Sequence, residues 1–252
     1  MSARGFKGAG DLYINRIVGG VKQGMVGPFE CEKFEIKANG ELLERVSKGK
    51  NSYGQVVASA AIAKPFDLSI ELGEADANGL SIALLGTTAA ITQASGSLTA
   101  VAVVAKLDKW VPLTKARLTG AATVTNDGAT ITYVEGDDYL VNRELGLIKC
   151  LSTGDIVADA PLKLTSTYAA IAATQIKGGT AASIRAEFTL DGKNLADDTP
   201  CVVTVYEGVV ASDAAVDFLS DQFLTVPLPG RLVTPAGRTE PFVVELRDAP
   251  AA

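Results

Sequence analysis

Alternation with a period of two residues dominates this chain. In PFDLSIEL the side chains of Phe66, Leu68, Ile70 and Leu72 fall on one side, and Asp67, Ser69 and Glu71 on the other. A strand reads this way when one face is buried and the other is wet. DLYINRIV sets Leu12, Ile14, Arg16 and Val18 against Asp11, Tyr13, Asn15 and Ile17. SIRAEFTL (Ile184, Ala186, Phe188, Leu190) and PFVVELR (Phe242, Val244, Leu246) repeat the pattern. CVVTVYEGVV, Cys201 to Val210, is apolar on both sides and predicts a strand covered on both faces.

Helical spacing is rare. EADANGLSIALLG, Glu74 to Gly86, opens with acids and closes on glycine, although Gly79 weakens it. SDAAVDFLSDQF, with Ser212 as N-cap, predicts a short second helix. The expectation is a mainly β protein, a sandwich or barrel-like subunit with one or two short flanking helices.

Two features interrupt this pattern. Between FECEKFEIKA and the QVVASAAIA run before PFDLSIEL lies GELLERVSKGKNSYGQ, Gly40 to Gln55, charged and rich in Gly and Ser. A hairpin needs only about 2 to 5 linking residues, so the sequence predicts a long loop over about 39–55. From about Ala100 to Ala170 the text changes to short strands divided by NDG, EGDD, ELG and TGD turns, with Ala/Thr/Ser/Gly-rich runs on both sides. A core domain over 1–99 and 176–252, with a small all-β insert over 100–175, fits this better than one continuous sheet. LPGRLVTPAGRTEPF reads as a bent, extended connection between two strands.

Composition narrows the chemistry. The chain of 252 residues has no histidine, which removes Ser-His-Asp, Cys-His and His-metal sites. Carboxylate-only and Ser-Lys mechanisms stay open. Cys31, Cys150 and Cys201 lack CxxC spacing and predict neither a disulfide framework nor a zinc site; Cys31 and Cys201 read as buried small hydrophobes. VSKGKNS lacks the first glycine of a phosphate loop and leads into Gln55-Val56-Val57 instead of a helix. Gly136-Asp137-Asp138 and the Asp197-Asp198 pair lack calcium-loop spacing and read as solvated turn acids. Trp110 stands alone and reads as a core or subdomain anchor. No constellation looks catalytic, and neither a cofactor nor a metal is expected. The net charge of −6 argues against a protein that grips a phosphate backbone, and from Asp191 onward ten acids face four cations. No apolar window approaches membrane length and the N-terminus lacks an apolar signal region, which predicts cytoplasmic synthesis and retention.

GDLYINRIVGG, the FEIKANGE and ERVSKGK runs, SYGQ and KPFDLSIELGEAD with LSIALLG resemble tail tube proteins of long-tailed, non-contractile bacteriophages. VTVYEGVV, VDFLSDQF and GRLVTPAGRTEPFVVEL are similar to the same family, as is the middle TYVEGDDYLVNRELGLIK. The resemblance implies a structural virion protein with no enzymatic activity: six subunits form a ring, rings stack into a hollow tube, and long hairpins line its lumen. It implies further copies of the chain as partners, with tape measure, tail terminator and distal tail proteins, double-stranded DNA in transit, and no membrane.

On this reading the long loop reaches the neighbouring ring, staying polar and mobile until it docks, with Glu44, Arg45, Lys48, Lys50, Tyr53 and Gln55 as contacts. FECEKFEIK and PFDLSIEL are expected to pair as one antiparallel hairpin whose polar face meets the channel. That makes Asp67 and Glu71, then Glu32, the lumen acids, an assignment that Lys33 and Lys37 weaken if they face the same way. The rivals are an Ig-like adhesin or carbohydrate-binding module and a carboxylate-based hydrolase.

Overall fold

The computed structural model describes residues 5–211 and 215–247. Contacts divide the chain into two compact units, Met1–Ala89 with Ile176–Ala252, and Ala90–Gln175. Strands dominate both. In chain order they are β1 (Gly8–Val18), β2 (Val21–Val46), β3 (Val56–Leu72), the helix α1 (Ala77–Ala83), β4 (Thr87–Gln93), β5 (Gly96–Val104), β6 (Trp110–Pro112), β7 (Thr123–Asn126), β8 (Thr132–Tyr133), β9 (Tyr139–Asn142), β10 (Leu147–Cys150), β11 (Pro161–Tyr168), β12 (Ile171–Lys177), β13 (Ile184–Asn194), β14 (Pro200–Val210), β15 (Val226–Leu232) and β16 (Phe242–Leu246).

The first unit is built on one antiparallel sheet in the order β13-β1-β2-β3-β15-β14, and β13 also pairs with β14. That last pairing closes six strands into a barrel, which removes the edges an open sheet would leave. β16 adds to the outside edge of β14 along Cys201–Val205, and β15 takes Gly208–Val210. Most of the alternating faces read from the sequence point inward: Leu12, Ile14, Leu68, Ile70, Leu72, Ala186 and Phe188 form the core with Phe29, Val205, Val226 and Leu228, whereas Val18 and, on β16, Val244 and Leu246 are exposed. β14 is alternately buried and half-buried, so only one of its two apolar faces is fully covered. Near one end of the barrel, Asn15 and Glu187 are both buried and joined at 3.3 Å although 172 residues separate them.

α1 is shorter than the expected Glu74–Gly86. Asp76 caps it, its carboxylate accepting from the Gly79 N–H at 2.6 Å. Gly79 weakens the helix but lets it approach the barrel: a Cβ there would meet Leu72 Cδ1 at 2.9 Å. Ile82 and Ala83 join the barrel core. Arg16 donates to the Gly86 carbonyl at 3.1 Å and ties down the end of this segment. The expected second helix does not form over 215–225, which is irregular with a turn at Phe218 and Leu219; its N-cap, Ser212, lies outside the described residues.

The second unit has its own core of Leu98, Val103, Val124, Tyr139, Ile148, Leu162 and Leu164. Two small sheets enclose it, β5-β11-β7-β8 and β6-β10-β9. It begins at Ala90 and not near residue 100, because Leu98 and Val103 on β5 belong to its core. β4 and β12 pair with each other and carry the chain out of and back into the first unit.

Candidate functional site

β2 and β3 are longer than the barrel needs. β2 pairs with β1 only through Glu30, and β15 reaches β3 only from Asp67 onward. Between Asn39 and Lys64 the two strands therefore pair only with each other, as a two-stranded arm with both outer edges open. Leu42, Leu43, Val46, Val56, Val57 and Ile62 are all exposed on it. Leu42 and Leu43 are consecutive, so apolar groups stand on both faces, opposite Ala61 and Ala60. An isolated two-stranded hairpin is marginal in water, and this one leaves apolar groups on both faces and both edges open.

The long loop expected over about 39–55 is thus about half strand, since β2 continues through Val46. Glu44 and Arg45 lie on β2, and only Ser47–Gln55 turns. That turn is held from within. Ser47 N–H donates to the Gln55 carbonyl at 2.8 Å, Gly54 N–H donates to the Ser47 carbonyl at 3.0 Å, and the Ser47 and Ser52 hydroxyls lie 2.7 Å apart. Lys48, Lys50 and Tyr53 crown it, Tyr53 being 78% exposed. The charged text hid the strand because neither face is buried, so no alternation marks it.

At the base of the arm the expected hairpin forms, in the register Lys33↔Glu71, Glu35↔Ser69 and Lys37↔Asp67. The lysines stand directly opposite the acids. Arg231 on β15 adds a third cation, 3.4 Å from Asp67, and Lys33 bonds Glu35 at 2.9 Å. That neighbour holds the Lys33 ammonium above its usual range. Glu71 also accepts from the Thr225 hydroxyl at 3.3 Å. Three carboxylates (Glu35, Asp67, Glu71) therefore meet three cations (Lys33, Lys37, Arg231) on this face, which is balanced and not acidic. Glu32 falls at a register shift between Cys31 and Lys33, apart from this row, and lines a groove with Asp221, Gln222, Phe223 and Thr225.

A second hairpin went unread in the sequence. β1 and β2 are joined by Gly19-Gly20, both at positive φ (58° and 81°), the two-residue turn that glycine pairs favour. Val18, Val21, Met25 and Val26 are exposed on it. The VGGV signal was present, but Gly24 and Gly27 broke the alternation beyond it.

Cys150 and Cys201 are buried and Cys31 is half-buried; burial pushes the Cys31 and Cys150 thiols up, away from reactive thiolate. Among the described residues no group of three or more Cys, Asp or Glu could hold a metal ion. Asp138, expected as a solvated turn acid, is buried and accepts from the Val134 and Asp155 N–H groups at 2.7 and 2.8 Å. Trp110, expected as an anchor, is 46% exposed on the outer row Trp110–Lys149–Leu140 of the three-stranded sheet, while Ile148 in the adjacent row is buried.

The geometry defines a mainly β, two-unit protein whose most unusual surface is the β2–β3 arm, apolar on both faces and unpaired at both edges. The family described as "Protein of unknown function UCP028589" matches residues 5–240, and the chain belongs to that family. No curated protein matches it.

Proposed function

We propose that this chain is a structural virion protein, the subunit of hexameric rings that stack into the tail tube of a long-tailed, non-contractile phage. The observation that carries the reading is the β2–β3 arm, which exposes apolar side chains on both faces and leaves both edges unpaired. Such a ribbon is suited to assembly: edge pairing and side-chain burial against other copies satisfy it. The sequence resemblance supplies the particular assembly, and the balanced row at the base of the arm is compatible with a channel for DNA. Equal numbers of cations and carboxylates along a wall give a passing polyanion neither a continuous hold nor a continuous repulsion.

Negative-stain microscopy and sedimentation of the purified protein over a wide concentration range test the proposal. Rings or tubes are expected. Monomers at every concentration and salt would overturn it.

A further inference from the structure

The barrel unit carries a second exposed surface whose chemistry complements the turn of the arm. Between β14 and β15 the chain shows Phe218, Leu219 and Phe223 to solvent at 64%, 92% and 99% exposure. Three large apolar side chains this open within six residues form a patch that proteins cover with a partner. Asp217 and Asp221 stand among them, and Asp221, Gln222, Phe223 and Thr225 bound, with Glu32, an open groove of about 620 Å³. Among the described residues Glu32, Asp217 and Asp221 have no cation within ion-pair distance.

The arm's turn is the counterpart. Arg45, Lys48 and Lys50 lie within six residues, likewise without a carboxylate partner among the described residues, and Tyr53 stands beside them. The two surfaces of one copy do not meet. From Glu32 to Val46, β2 advances about 3.3 Å per residue, which places the turn roughly 45 Å from the groove.

We infer that the Phe218–Phe223 surface, with the groove beside it, receives the arm's turn of a second copy. The inference rests on the self-assembling subunit proposed above and names the surface that closes its contact. Tyr53 packs against the Phe218 and Phe223 rings, while Arg45, Lys48 and Lys50 face Glu32, Asp217 and Asp221. Donor and acceptor differ and each copy carries one of each, so the contact is heterologous and repeats from copy to copy.

Charge swapping in the full-length protein tests this. Lys48→Glu with Lys50→Glu reverses the turn; Glu32→Lys with Asp221→Lys reverses the groove. All four positions are exposed, and unchanged thermal unfolding confirms that each variant is folded. Sedimentation in about 50 mM salt is expected to show association weakened about tenfold or more by either pair, and restored to within about threefold when the two are combined. Phe223→Ser is expected to weaken association at low and high salt alike. If the wild type assembles and neither reversal changes it, or if the reversals fail to compensate one another, this surface is overturned while self-assembly stands. A wild type that never associates overturns both.

Discussion

The carboxylate of Asp138 accepts hydrogen bonds from two backbone N–H groups, of Val134 and Asp155, that belong to different turns of the second unit. These bonds favour the charged form and hold its carboxyl below the usual range. In the unfolded chain the group titrates near 3.9. Its contribution to stability is therefore fully present above about pH 4 and is lost as pH falls through the lower, folded value. Asp138→Asn turns one accepting oxygen into a donor facing an N–H. It is expected to cost about 1–3 kcal/mol at neutral pH and to lessen the loss of stability between pH 5 and 2. Urea unfolding monitored across that range checks both outcomes, and an unchanged acid limb would show that other carboxylates set it.

At the scale of elements, the arm is separable from what folds the barrel. None of its residues from Asn39 to Lys64 belongs to the barrel core. Replacing Glu41–Ile62 by a two-residue Asn-Gly turn is expected to shift the unfolding midpoint by no more than about 3 °C, because exposed positions contribute little. Assembly should be abolished. Calorimetry and microscopy of the same preparation check the two outcomes, and tubes of normal length would show that the arm is a surface excursion. The contrast between Phe66–Leu72 and Gly40–Val46 also shows what the sequence made legible. The first has one buried face, so Phe66, Leu68, Ile70 and Leu72 announce it. The second is bare on both faces and its text carries no period, although its pairing with Val56–Ala63 is as regular. The same limit explains the candidate site. Asp67 and Glu71 were found because they face solvent on a clear strand, but the cation opposite each depends on register, and the third cation comes from β15, more than 150 residues away. Phe218 and Phe223 lie in the segment expected as a second helix, and only the irregular backbone shows that they are left in water.

For the whole molecule, the two cores share no residue. Deleting Ala90–Gln175 and joining Ala89 to Ile176 by a short Gly-Ser linker is expected to leave a cooperative unfolding transition for the barrel, with a midpoint lowered by less than about 5 °C. Loss of that transition in circular dichroism would show that the barrel depends on the second unit. The barrel's own closure has a consequence for how the chain is made. β1 pairs with β13, whose first residue follows the whole second unit in sequence. On a ribosome, the second unit is complete, contiguous and able to bury its core while β1 still lacks one of its neighbours. The barrel closes only when the last third of the chain has emerged. β15, which extends the base of the arm, and the Phe218–Phe223 surface arrive at that same late stage. A nascent chain thus exposes its arm well before the surface inferred above to receive it, which separates the two halves of the proposed contact in time during synthesis.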